Sequence, residues 1–103
     1  MTEEDLYLSI GFSVPEAIQS QMFGKPCFKI NGKAFICFFR NEMVFKLDNP
    51  LHKEALELAG AQLFDPSGKN RPMKEWVQIP YNHSKQWSIY ADAAMKYVSS
   101  AEK

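Results

Sequence analysis

Few residues of this chain could carry chemistry, and none stands in a pattern specific for a reaction. Cys27 and Cys37 form no CxxC pair, and neither has a legible partner that would activate a thiolate. His52 and His83 lack the HxxxH or HExxH spacing of metal sites. The cysteines are therefore interpreted as small core residues and the histidines as structural.

A pair of carboxylates, Glu54 and Glu57, lies three residues apart in a predicted helix. On an amphipathic helix this spacing is typical of the solvated side rather than of acid–base catalysis. The glycines are explained by turns and caps, and none forms a phosphate-binding loop. The sequence thus predicts no catalytic residues, no cofactor and no metal ion, and favours a protein that is not an enzyme.

The strongest candidate for a binding site is the hexapeptide Arg71-Pro72-Met73-Lys74-Glu75-Trp76. Tryptophan and arginine are enriched at the energetic centres of interfaces. In a structural interpretation, Trp76 covers a core edge and Arg71 pairs with a carboxylate such as Asp65. In a functional interpretation, a candidate interaction patch consists of Ile36, Phe38, Arg71, Lys74 and Trp76.

Two helices are predicted at the start of the chain. Thr2 with Asp5 is typical of a helix N-cap, and Gly11 is expected to interrupt that helix. Ser13-Val14-Pro15-Glu16 matches a capping box and predicts a second short turn of helix to about Gln21.

Three strands are predicted next, over Pro26–Ile30, Lys33–Phe39 and Met43–Lys46. Asn31-Gly32 is a strong signal for a two-residue hairpin turn and pairs the first two strands. That register puts Cys27 and Cys37 on opposite faces of the sheet. It also puts Ile36 and Phe38 on a second apolar face, away from the helices.

The rest of the chain adds a helix after Asn49-Pro50 that Gly60 ends, strands over Ala61–Phe64 and Met73–Ile79, and a last helix from about Asn82 or Ser84. The expected fold is α+β, a single domain over residues 1–103 with the order α-β-β-β-α-β-β-α. Its five-stranded antiparallel sheet would carry the helices mainly on one face.

Charge is balanced overall, with 12 basic and 12 acidic residues, so no global field attracts nucleic acid or an anionic membrane. The balance conceals a gradient, because residues 1–21 are acidic and residues 22–47 are basic. Nucleic-acid binding by the basic hairpins is therefore an alternative function, and it would use Lys25, Lys29, Lys33, Arg40 and Lys46. The acidic start lacks a secretory signal, and no apolar run approaches about 20 residues. A cytoplasmic protein without membrane contact is expected.

The chain resembles the TfoX N-terminal domain family over about residues 22–98, and is more distantly similar to the MmcQ/YjbR proteins. The likeness consists of Met22-Phe23-Gly24 before a hairpin, Phe64-Asp65-Pro66, and the hexapeptide that ends in Trp76. This resemblance implies the same order of helices and strands, a bacterial cytoplasmic protein and no catalytic residues.

The sequence therefore favours a small regulatory or protein-interaction module. We expect a homodimer or a protein partner held through the second apolar sheet face, since that patch exceeds what a soluble monomer usually exposes. Nucleic-acid binding and small-ligand binding are the alternatives.

Overall fold

The computed structural model of the chain describes residues 2–66, 68 and 72–100. It is an antiparallel α+β fold with six strands in the order β1-β2-β3-β4-β6-β5. The elements in chain order are α1 (Glu3–Ser13), β1 (Ile18–Met22), β2 (Lys25–Ile30), β3 (Lys33–Phe39), β4 (Glu42–Lys46), α2 (Leu51–Leu56), β5 (Gln62–Phe64), β6 (Met73–Ile79), a 3-10 helix (Tyr81–Gln86) and α3 (Trp87–Ser100). The predicted class is confirmed, and the predicted five-stranded sheet is corrected to six strands.

Helix α1 begins as predicted but does not stop at Gly11. The Thr2 hydroxyl accepts a hydrogen bond from the Asp5 backbone N–H, and the Asp5 carboxylate accepts one from the Thr2 backbone N–H, both at 3.1 Å. The helix then continues through Gly11 to Ser13. A Cβ atom at Gly11 would overlap the ring of Phe28 on β2. The glycine is present because the helix packs directly on the sheet there.

The second predicted turn of helix is wrong, and strand β1 occupies its place. The Ser13 hydroxyl donates to the Ile10 carbonyl at 2.7 Å, inside α1, so it does not cap a new helix. Glu16 has a φ of 69°, which turns the chain out of helical conformation. The chain then pairs antiparallel with β2 from Ile18↔Lys29 to Met22↔Lys25. This pairing adds the sixth strand.

The β2–β3 hairpin confirms the turn but not the register. Asn31 and Gly32 both have positive φ, and Ile30 pairs with Lys33 as predicted. An irregularity between Phe28 and Lys29 then shifts the pairing, so that Phe28 lies opposite Ile36. A one-residue shift turns every following side chain to the other face of the sheet.

Two apolar clusters result, one on each face of the sheet. The helix-side cluster contains residues of α1, α2, α3 and the central strands, with Ile36 and Phe38 among its buried members. The second-face cluster consists of Cys27, Cys37, Phe39, Val44, Phe64 and Trp76, all buried in the monomer. The expected open apolar second face, with Ile36 and Phe38 on it, is therefore wrong.

The helices and strands after β4 agree closely with those predicted from the sequence. Strand β6 has the predicted bounds, and its Val77 and Ile79 face the helix-side cluster while Trp76 faces the other. Helix α2 is shorter than expected and ends at Leu56, before the positive-φ turn at Gly60. Within residues 2–66, 68 and 72–100, no helix combines the length and apolar character needed to cross a bilayer.

Candidate functional site

The five residues of the sequence-predicted patch do not form one surface. Ile36 and Phe38 are buried on the helix side, whereas Trp76 is buried in the second-face cluster. Lys74 is exposed, and Arg71 lies outside the described residues. The described part of this patch is thus divided between two cores and one exposed lysine.

Lys74 and Glu75 of the hexapeptide contact residues of β4, α2 and α3. The ring Nε2 of His52 lies 2.6 Å from the Lys74 carbonyl oxygen. The Tyr97 hydroxyl donates to the Glu75 carboxylate at 2.9 Å, and this hydrogen bond is the main cause that raises the pKa of Tyr97. Lys46 lies 3.7 Å from the same carboxylate. The burial of Trp76 agrees with the structural interpretation of the segment, whereas the expected pairing of Arg71 with Asp65 lies outside the described residues.

The other sequence candidates are satisfied within the fold. His83 Nε2 lies 2.8 Å from the Ala59 carbonyl oxygen, so both histidines contact backbone oxygens. The described part of the chain holds no group of three His, Cys, Asp or Glu side chains that could bind a metal ion. Grooves of about 440 and 260 Å³ share Asp48 and Tyr97 along α3, and small-ligand binding there stays a prediction.

The two cysteines are neighbours, in contrast to the sequence prediction. Cys27 and Cys37 are directly opposite each other on β2 and β3, and both are free thiols buried in the second-face cluster. Burial raises the pKa of Cys37 to about 12 and also raises that of Cys27. Both therefore stay protonated and unreactive at neutral pH.

The two buried thiols make the stability of the fold sensitive to alkaline pH. In the unfolded chain the thiols ionise near pH 8.5, so above about this pH the unfolded state loses protons that the folded state keeps. The free energy of unfolding should therefore fall as pH rises toward 12, by roughly 1 kcal/mol per pH unit for Cys37, and the raised pKa of Cys27 adds a fall of the same sign. Urea unfolding at about pH 8 and pH 10.5 measures this slope. Cys37→Ala should reduce the fall in the free energy of unfolding between these two pH values. An equal fall in both proteins would contradict the raised pKa of Cys37.

Three of the basic residues contact side chains that the structure describes. Lys25 and Arg40 both lie near the ring of Phe39, at 5.3 and 5.0 Å from its centroid. Lys46 instead contacts Glu75. Nucleic-acid binding through these cations stays a prediction.

Strand β1 is one of the two outer strands of the sheet, and sequence reasoning missed it. Its sequence Ile-Gln-Ser-Gln-Met contains neither a charge nor a proline. Edge strands usually carry lysine, proline or bulges, because an unguarded edge can pair with another strand. The local signal for a strand is weak, because three polar residues in a row separate Ile18 from Met22, and the preceding capping pattern favours a helix.

Large exposed apolar side chains surround this edge. Ile18 begins β1 and is 68% exposed, while Phe23 follows β1 and is 64% exposed. Phe12, also 64% exposed, packs edge-on against Phe28 with 5.1 Å between ring centroids, and Phe28 pairs with Gln19 of β1. The edge thus has exposed apolar side chains at both ends.

Strand β1 presents two chemically different sides. Ile18, Ser20 and Met22 lie on the second face of the sheet, since Ser20 pairs with the second-face residue Cys27. Gln19 and Gln21 lie on the helix side. A groove of about 340 Å³ runs there between β1 and α1, lined by Glu4, Leu8, Gln19, Ser20, Gln21 and Pro26. The site therefore combines an unpaired backbone with an adjacent recess for side chains.

Comparisons of the chain with protein-family models, with curated proteins and with solved structures find no match. The TfoX resemblance accordingly stays a prediction.

Proposed function

We propose that this protein is a non-enzymatic interaction module that binds its partner by strand addition to β1. The observation that carries the proposal is the uncharged outer strand, with exposed Ile18 at its start and exposed Phe23 just after its end. An extended segment added to such an edge gains main-chain hydrogen bonds, and pockets beside the strand supply specificity.

The geometry of the two sheet edges favours β1 over β5. Strand β1 offers five residues, whereas β5 has only three, Gln62–Phe64, and its Phe64 is fully buried. Alternate residues of an outer strand direct their N–H and C=O groups outward. The longer strand therefore provides more backbone groups for a partner.

The groove beside β1 gives the added segment a place for alternate side chains. Leu8 provides an apolar wall and Glu4 a negative one, while Gln19 and Gln21 provide amides. On the other face, Ile18 is available for apolar contact. We expect partner segments to place apolar residues on the face of Ile18 and polar residues on the face of Gln19 and Gln21.

A regulatory role in a bacterial cytoplasm belongs to the same proposal. Free buried thiols fit a reducing compartment, and the resemblance to the TfoX N-terminal domain favours regulation over catalysis. Partner binding at an edge strand is how such a module would act.

Selection from a displayed library of random nonapeptides tests strand addition. Extended peptides with alternating apolar residues should be enriched, and a synthetic copy of a selected peptide should bind at least about tenfold more weakly to Ile18→Lys. Ile89→Lys is the matched control, because Ile89 is also strongly exposed but lies on α3. Equal binding to both variants, or a selection without enrichment, would contradict the proposal.

A further inference from the structure

We infer that the partner of β1 is a second copy of this chain, with the two β1 strands antiparallel and Ser20 opposite Ser20 of the second copy. The inference rests on the proposed function, since it names the occupant of the same edge. It follows from the symmetry of such a pair and from the order of residues in β1.

Symmetry restricts the allowed registers. Two identical edges can pair antiparallel about a two-fold axis perpendicular to the sheet, which keeps the helices of both copies on one side. Directly opposite residues must then lie on the same face of the joined sheet. Ile18 shares its face with Ser20 and Met22 but not with Gln21, so only registers centred on a residue are allowed.

Among these registers, the one centred on Ser20 uses all five residues of β1. It places Ile18 opposite Met22 of the second copy twice, and Gln19 opposite Gln21 twice. Apolar side chains then meet apolar ones, and amides meet amides that can hydrogen-bond to each other. A register centred on Gln19 or Gln21 leaves residues unpaired and sets Ser20 opposite an apolar residue.

Charge within the two strands does not oppose this pairing. Strand β1 carries no charged side chain, so no like charges face each other across the two strands. The joined sheet would have twelve strands, twice the six of one copy. The contact is a single strand pair, so we expect a weak dimer with a dissociation constant on the order of 100 µM.

Sedimentation equilibrium of the native-sequence chain measures the association. At about 500 µM the average mass should lie well above the monomer mass of 11.8 kDa. Ile18→Lys should remain at the monomer mass and keep its circular dichroism spectrum, because Ile18 is exposed in the monomer. Ile89→Lys should associate like the parent.

Cysteine crosslinking tests the register. Ser20→Cys is introduced together with Cys27→Ala, since Cys27 lies directly opposite Ser20 in β2 and would otherwise pair with the new thiol. With oxidised glutathione as oxidant, the introduced thiols of two copies should form a disulfide-linked dimer at least about tenfold faster than those of Gln19→Cys in the same background. A mixture of Gln19→Cys and Gln21→Cys should crosslink nearly as fast as Ser20→Cys.

The outcomes separate this inference from the proposed function. A parent that stays monomeric while selected peptides bind in an Ile18-dependent manner would overturn self-pairing and leave strand addition standing. Association that Ile18→Lys does not affect would also overturn it. Equal crosslinking of Ser20→Cys and Gln19→Cys alone would overturn the register. If the native-sequence chain is monomeric and also binds no selected peptide, both proposals are contradicted.

Discussion

Gly11→Ala is expected to destabilise the protein by about 3 kcal/mol, although alanine favours a helix over glycine by about 1 kcal/mol. The added methyl group would overlap the ring of Phe28, which is fully buried. Tyr7 and Phe12 contact that ring at centroid distances of 5.3 and 5.1 Å, so it has little room to move. Urea unfolding followed by circular dichroism measures the loss.

Two controls separate the overlap from effects on the helix. Ser9→Ala, at an exposed position of α1, should stabilise the protein slightly, because only helix propensity changes. In a Phe28→Leu background, Gly11→Ala should cost much less than in the parent, since the smaller side chain leaves space. A parent-like stability of Gly11→Ala would contradict the close packing of α1 on β2.

Phe38→Glu is expected to abolish folding, the opposite of what the sequence-based face assignment predicts. Phe38 is 8% exposed and stacks on Tyr7, with 5.1 Å between ring centroids. Burying a carboxylate there and losing the ring should cost roughly 4 kcal/mol or more, comparable with the whole stability of a small domain. The far-ultraviolet circular dichroism spectrum would show the loss directly.

Phe23→Glu is the matched control for this experiment. It is the same substitution at a side chain that is 64% exposed in the β1–β2 turn, so the fold should persist. A folded, cooperatively melting Phe38→Glu would show that Phe38 lies outside the core, and would restore the face assignment that the sequence suggested.

Elements with strong local signals could be predicted from the sequence. The start of α1 follows from Thr2 and Asp5, and the β2–β3 turn follows from Asn31-Gly32. The bounds of strand β6 agree with the prediction, because Val77 and Ile79 alternate with polar Gln78 and Pro80 ends the strand. In each case the pattern within a few residues determines the local conformation.

The faces of β3 could not be predicted, because both candidate faces are apolar. When either register buries a continuous set of large side chains, hydrophobic patterning does not distinguish them. The irregularity at Phe28 then decides which of Ile36 and Cys37 faces the helices. That choice depends on packing against α1 and α3, which involves residues far away in sequence.

The candidate site was missed for a related reason. Ser13 and Glu16 match a capping box, but Ser13 bonds back into α1 and Glu16 adopts positive φ. Even with β1 assigned as a strand, its place at the sheet edge depends on the order of all six strands. Edge position is a property of the topology and not of the five residues.

Hydrogen–deuterium exchange of β1 at two protein concentrations reports on self-association through this strand, because it follows the outward backbone amides themselves. Between about 10 µM and about 500 µM, exchange over residues 18–22 should slow several-fold. Exchange over β5, the other sheet edge, should stay unchanged. Equal exchange of β1 at both concentrations, or slowing at β5 instead, would contradict the self-association of this protein through β1.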